Sequence, residues 1–309
     1  MNIDKTFFSK IGFTYLIYAI ITIIFQVIII NVFGILNPGL IYDINSLTIL
    51  SAICNYILPF PILIYLMKKL DSHIPEQHTL TIKTFITYIA IALTLMWIGN
   101  VIGLGITAII SFFTQLDVSN PVQTLINSTD IWLNLALISI IGPVFEEIFF
   151  RKLLIDRTIK YGARVSILLS ALLFGLFHGN INQFFYAFLL GGFFAYIYIK
   201  TGNIKYTILL HIIINLMGSV VSLFVVSSVE NITSGLIQPS DIAIIIIYLL
   251  IIFASFLIGI IKLANYKNIQ LNDMAKIKLT EPFKTIILNP GMILFIGFCI
   301  ALMIRQMIA

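Results

Sequence analysis

Residues 11 to 33 read IGFTYLIYAIITIIFQVIIINVF, a predominantly apolar run without one acidic or basic side chain. A helix crossing a hydrocarbon core about 30 Å thick needs about 20 such residues. The run is too long for the apolar part of a cleaved secretory signal and lacks a small-residue cleavage site. It reads as a first membrane span. Working outward, similar runs recur at roughly 47–67, 82–112, 131–155, 162–178, 184–199, 204–227, 241–262 and 285–308, separated by short polar punctuation. The predicted fold class is all-α, a polytopic membrane protein of about 8–9 transmembrane helices.

Composition agrees. Hydrophobic residues make up 60% of the chain and charged residues 10%, against about 45–50% and about 25% in soluble domains. A water-soluble fold could not clothe itself with so few charges. Cys54 and Cys299 lie far apart in apolar segments and read as free packing thiols, not a disulfide framework.

The net charge of +5 has a topological reading. With Lys5 and Lys10 inside, the loops expected to be cytoplasmic carry Lys68, Lys69 and Lys83; Arg157, Lys160 and Arg164; Lys200 and Lys205; and Lys267, Lys276, Lys278 and Lys284. The loops expected outside, around 34–46, 113–130, 179–183 and 228–240, contain no Lys or Arg. That is the positive-inside pattern. It predicts a multi-pass protein of a cell membrane, with a cytoplasmic N-terminus, lipid around it and no nucleic-acid partner, and the Ile-, Asn- and Lys-rich composition suggests a bacterial one. The division expected is N-terminal spans over 1–125, a core over 126–228 and C-terminal spans with a basic loop over 229–309.

Ionisable side chains in a bilayer are costly, so each is a functional hypothesis. They cluster in three segments. The first is Gly142-Pro143-Val144-Phe145-Glu146-Glu147-Ile148-Phe149-Phe150-Arg151. Adjacent helical positions lie about 100° apart, so the two glutamates face different surroundings. Glu147 and Arg151 are spaced i, i+4 with the acid first, the favourable order for an ion pair. That pair would hold Glu147 and leave Glu146 free. Pro143 predicts a kink or restart just before the glutamates, where a new helix N-terminus would favour a carboxylate. A bland alternative is a Glu–Arg clamp that only joins helices.

The second segment, Phe174-Gly175-Leu176-Phe177-His178, ends an apolar helix, where a lone His is commonly a capping residue. In the third, His211-Ile212-Ile213-Ile214-Asn215, His211 and Asn215 share a helical face and could simply hydrogen-bond a neighbouring helix. Taken together, a carboxylate and two imidazoles from three helices could converge on one polar pocket. Such a set can activate water, by general-base catalysis or through a divalent metal, and His211 with Asn215 could donate to a developing oxyanion. Peptide hydrolysis fits those parts. A non-catalytic scaffold or immunity protein, and an ion-coupled transporter using Glu146 and Glu147 as a relay, are the competing readings.

In order and spacing, Glu146-Glu147-x-x-x-Arg151, Phe174-x-x-x-His178 and His211-x-x-x-Asn215 resemble the CAAX prenyl protease and bacteriocin-processing (CPBP, Abi-type) family of intramembrane proteases, over roughly 130–220. The resemblance implies Glu146 as the water-activating residue, with Glu147 and Arg151 as its supporting partners. It implies that His178 shares the water or metal, and that His211 and Asn215 stabilise the oxyanion or add ligands. Glu146, His178 and His211 would be an adequate zinc set, and a metal-independent glutamate mechanism is the other option. The substrates implied are membrane-associated peptides or proteins, in peptide maturation or in bacteriocin processing or immunity. One tension concerns depth, because His178 counts to the outer end of its span while Glu146 and His211 count to the inner half. The expectation is that the span near Gly162 begins later, behind a cytoplasmic extension, and that 179–183 is not an external loop.

Overall fold

The computed structural model describes residues 3–115, 121–265 and 275–308. Lys267, and residues 116–120 of the loop expected outside, lie outside the described residues. The described chain is helical, with no strand among those residues.

Among the described residues, eight helices are long and apolar enough to cross a membrane. Including one shorter apolar helix, they are α1 (Ile3–Leu36), α2 (Ile44–Lys68), α3 (Ile82–Thr114), α4 (Ile131–Tyr161), α5 (Ala163–Phe177), α6 (Ile181–Thr201), α7 (Ile204–Thr233), α8 (Pro239–Ala264) and α9 (Pro290–Ile308). The protein is therefore a multi-pass, all-α membrane protein. Many Ile, Leu and Phe side chains of α1, α7, α8 and α9 stay exposed, as lipid-facing helices require.

Lysines and arginines gather at one end. There the Tyr161 hydroxyl donates to Asp4 at 2.9 Å, Lys160 lies over the Phe7 ring at 4.4 Å, and the amides of Lys276 and Ile277 both donate to the Lys160 carbonyl. At the opposite end, caps are made by Asp43, Asp130 and Asp241.

The element expected to span at 162–178 corrects the sequence reading. Helix α5 begins at Ala163, where the apolar run starts. It is instead short: its 15 residues cover about 22 Å, less than the hydrocarbon core. Gly179, at φ +65°, turns the chain back through a conformation that favours glycine. Asn180 then caps α6, accepting from the Gln183 amide at 2.9 Å. Asn180, Asn182 and Gln183 are all buried, so 179–183 is not an external loop. The Thr107 hydroxyl of α3 donates to the Asn182 side-chain oxygen at 2.6 Å, and α3 continues to Thr114, about 10 Å further. The hairpin thus turns short of the end of α3, with His178 lining the same cavities as Glu146.

Close approach makes this possible. A Cβ on Gly99 would lie 2.2 Å from the Tyr186 Cα, and one on Gly191 would lie 3.1 Å from the Ala171 Cα. Small residues thus let α6 press against both α3 and α5.

At Pro143 the restart expected as one of two outcomes does not occur. Helix α4 neither breaks nor restarts. The turns over Asn134–Ile141 and Ile148–Leu153 widen to π spacing on either side of Gly142–Glu147. The Gly142 amide reaches the Leu137 carbonyl, five residues back. The wide turn absorbs the missing proline N–H within a continuous helix, so no helix N-terminus faces the glutamates.

Candidate active site

The site grows from the middle of α4. Glu147 is fully buried, and its Oε1 accepts from the Arg151 guanidinium at 3.0 Å and from His211 Nδ1 at 2.9 Å. Arg151 is equally buried. Its second amino group donates to the Ser170 hydroxyl at 3.2 Å, and its plane lies over the Phe174 ring at 4.6 Å. A buried ion pair survives when hydrogen bonds take up its remaining capacity; Ser170 and His211 take up part of it, while Glu147 Oε2 and Arg151 Nε are buried without a hydrogen-bond partner among the described residues. The expected i, i+4 pair is present, together with a histidine ligand that spacing alone did not reveal.

Glu146 faces elsewhere, as the 100° step demands. Its side chain is 20% exposed. Its Oε1 accepts from the Tyr56 hydroxyl of α2 at 3.1 Å, and its Oε2 lies 3.7 Å from His211 Nε2. His211 therefore bridges the two carboxylates. Because a carboxylate only accepts, Nδ1 carries the hydrogen shared with Glu147. Nε2 is left to face Glu146.

His178 has a similar economy. Its Nδ1 lies 2.8 Å from the Phe174 carbonyl, which only accepts, so Nδ1 donates and Nε2 keeps its lone pair. The bond closes the last turn of α5, with His178 as the C-cap. The capping reading and a site role thus coexist in one ring. Asn215 donates through Nδ2 to the Ile138 carbonyl at 2.9 Å, tying α7 to the wide turn before Pro143. That amide nitrogen carries a second hydrogen.

Two cavities meet at Glu146. One, of about 570 Å³, is lined by Glu146, His178, His211, Asn215, Gln183 and Tyr186 and extends to Gln123. The other, of about 560 Å³, runs past Tyr18, Phe149 and Phe177 to Arg305. Asn55, Tyr56, Glu146 and His178 line both, so the acid and the imidazole stand in a shared wall.

The structure brings together Glu146, Glu147, Arg151, His178, His211 and Asn215. Sequence reasoning missed Tyr56 and the support behind it. The Tyr18 hydroxyl donates to the Asn55 carbonyl, and the Gln26 amide donates to the Asn55 side chain at 2.9 Å. These bonds fix the wide turn Ile53–Ile57 that aims Tyr56. A legible signal existed: two polar residues, Asn55 and Tyr56, just before Pro59 inside an apolar span.

Glu146, His178 and His211 are zinc donors in kind. Among the described residues, however, no group of three or more His, Cys, Asp or Glu side chains is placed to hold a metal ion. No step below passes through a metal.

Fold and site together define a class: a multi-pass helical membrane protein with an ionisable, hydrogen-bonded centre buried among its middle spans. Residues 128–217 match the family described as type II CAAX prenyl endopeptidase, Rce1-like. The match covers the whole Glu146–Asn215 constellation and bears out the resemblance read from the motifs. It suggests a CAAX-type intramembrane protease, a hydrolase acting within lipid. No curated protein and no solved structure matches the chain.

Proposed function

We propose that this protein is an intramembrane endopeptidase that hydrolyses peptide bonds of membrane-associated peptides or proteins, as in the maturation of leader or signalling peptides. The observation that carries the reading is the placing of Glu146 and His178 in the wall between two cavities, with His211 Nε2 3.7 Å from the Glu146 carboxylate. A peptide lying across that wall would present its carbonyl to both groups.

In this mechanism a water held by Glu146 and the His178 Nε2 loses a proton to Glu146 as its oxygen attacks the carbonyl carbon. The carbonyl oxygen becomes an oxyanion, and His211 and the second Asn215 amide hydrogen donate to it. His211 donates from Nε2 only as an imidazolium, and Glu147 supplies the opposite charge at Nδ1. With that imidazolium, Glu146, Glu147, Arg151 and His211 sum to zero charge, which suits a low-dielectric site. Collapse of the intermediate breaks the C–N bond, and Glu146 returns its proton to the leaving amine. Arg151 acts through Glu147 as a positioning residue. Tyr56 orients the Glu146 carboxylate through its hydroxyl. The basic end of the bundle is the cytoplasmic one in this reading, by the positive-inside pattern.

The test is cleavage of a membrane-peptide library by purified, detergent-solubilised protein, with Glu146→Ala and His178→Ala in parallel. Each is run with and without a chelator. Cleavage by wild type that both variants lose, and that the chelator leaves intact, is expected. Equal cleavage by the variants would overturn the assignment, and loss with the chelator would replace the metal-free route.

A further inference from the structure

The turn that carries His178 also begins a chain of hydrogen bonds whose donors and acceptors are fixed one by one. The Gln183 backbone N–H donates to the Asn180 side chain at 2.9 Å, so the atom it meets is the amide oxygen and the other end of Asn180 is Nδ2. That nitrogen donates to the His178 carbonyl at 3.1 Å and to Gln183 Oε1. Gln183 must then turn its own Nε2 away, and it donates to the Tyr186 hydroxyl oxygen at 2.6 Å. Tyr186 is therefore held as an acceptor, and no acceptor for its own O–H hydrogen stands among the described residues. A phenol that accepts still has that one hydrogen to give.

The place of that hydroxyl decides what it can serve. Tyr186 is pinned by its backbone, because a Cβ on Gly99 of α3 would lie 2.2 Å from its Cα. Its ring meets the His178 ring edge-on, 6.3 Å between centroids. Tyr186, His211 and Asn215 line the cavity that extends to Gln123 and do not line the one that runs to Arg305, whereas Glu146 and His178 line both. The pair that holds the attacking water thus stands in the shared wall, and the donors His211, Asn215 and Tyr186 gather on one side of it. An O–H held in such a cavity without a protein acceptor is a donor left for an occupant.

Resting on the protease reading above, we propose that Tyr186 is a further catalytic residue, whose hydroxyl donates a hydrogen bond to the oxyanion beside His211 and Asn215. As the water oxygen bonds to the carbonyl carbon, the carbonyl π pair moves onto its oxygen and Glu146 takes the water proton. Tyr186 keeps its own proton and turns it toward the new charge. A donor aimed before the charge appears needs no reorganisation as that charge develops, and the bonds from Asn180 through Gln183 aim this one. Because they start at the His178 carbonyl, one turn of chain sets both the water-holding imidazole and the oxyanion donor.

Tyr186→Phe tests it by kinetics and by binding, in the full-length protein in phosphatidylcholine nanodiscs. On the library peptide best cut by wild type, kcat is expected to fall about a hundredfold, the scale of one oxyanion donor, with KM and the SDS-unfolding midpoint unchanged. Binding is measured in a Glu146→Gln background, which removes cleavage. The probes are a phosphinic peptide, whose tetrahedral anion imitates the intermediate, and its matching amide peptide, built on the best-cut sequence or, if none is cut, on the best-bound one. Adding Tyr186→Phe is expected to weaken the phosphinic form about tenfold, the scale of one charge-assisted bond, and to leave the amide form unchanged. An unchanged kcat, a change confined to KM, or equal weakening of both probes overturns the proposal. So does a loss of kcat that comes with a lowered unfolding midpoint, which would make Tyr186 a packing residue. If wild type cleaves nothing yet prefers the phosphinic form through Tyr186, the protease reading fails and the donor assignment stands.

Discussion

Replacing Arg151 with Met exposes the logic of the buried network. The change keeps much of the side chain's bulk over Phe174 but removes the charge 3.0 Å from Glu147 and the donor 3.2 Å from Ser170. Glu147 is then a fully buried carboxylate that still accepts from His211 at 2.9 Å. Breaking a buried pair by removing one member costs about 3–5 kcal/mol, because the survivor keeps its desolvation penalty without its counter-charge. The His211 bond places this case near the lower end, at about 3 kcal/mol, or roughly a hundredfold in the folding equilibrium. The assay is SDS-titrated unfolding in mixed micelles, followed by circular dichroism, for wild type, Arg151→Met, Glu147→Gln and the double variant. The double variant leaves neither member of the Glu147–Arg151 pair as a lone charge and is expected to recover at least half of the loss, giving a favourable coupling of about 1.5 kcal/mol or more in the cycle. Arg151→Met within about 0.5 kcal/mol of wild type, the range of ordinary surface substitutions, would refute the claim that a buried ion pair organises α4, α5 and α7. A double variant no better than Arg151→Met alone would refute it equally.

Three further outcomes follow from single contacts. Tyr56→Phe removes the hydroxyl 3.1 Å from Glu146; it is expected to lower kcat about tenfold, the scale of one hydrogen bond in the site, with KM and the unfolding midpoint unchanged, and a change confined to KM would reassign Tyr56 to substrate binding. Gly99→Ala pushes a methyl to 2.2 Å from the Tyr186 Cα, while Gly105 has nothing within 4 Å; the first substitution is expected to destabilise by about 1–3 kcal/mol and the second to be nearly silent, and equal effects in unfolding titrations would contradict the α3–α6 packing. Asp43 caps α2, and hydrogen bonds from the Ser46 side chain and then its amide hold the carboxyl below the usual carboxylate range; the cap's contribution is present at neutral pH and lost as pH falls through the lowered value, so Ser46→Ala should raise the Asp43 titration midpoint measured by NMR, and an unchanged midpoint would refute the cap.

Much of the architecture was readable because lipid imposes simple rules. Run length located the spans, and the i, i+4 step located the Glu147–Arg151 pair and separated Glu146 from it. Depth was not readable in the same way. Hydropathy saw 162–178 as one more apolar run, whereas only a 15-residue helix turning at Gly179 sets His178 beside Glu146. The restart at Pro143 was a sound inference from a missing N–H, but the widened turn accepts that loss without breaking the helix. Tyr56 was hidden for a different reason. Its bond to Glu146 joins residues 90 positions apart, and it depends on Tyr18 and Gln26 holding a turn that local propensity does not specify. The cavities draw on α1, α2 and α9 as well as the middle spans, so the flanking helices, which looked uniformly hydrophobic, furnish walls of the site.

The central claim is that Glu146 directs water onto a peptide bond inside the membrane. Its most direct test is cleavage in water enriched in oxygen-18, with the new carboxyl terminus read by mass spectrometry. The library peptide best cut by wild type serves as substrate, and Glu146→Gln as the paired enzyme. The account requires one heavy oxygen in the product carboxyl from wild type, and no product from Glu146→Gln with an unchanged unfolding midpoint. Labelled product formed equally well by Glu146→Gln, or no product from wild type on any membrane peptide, would contradict it.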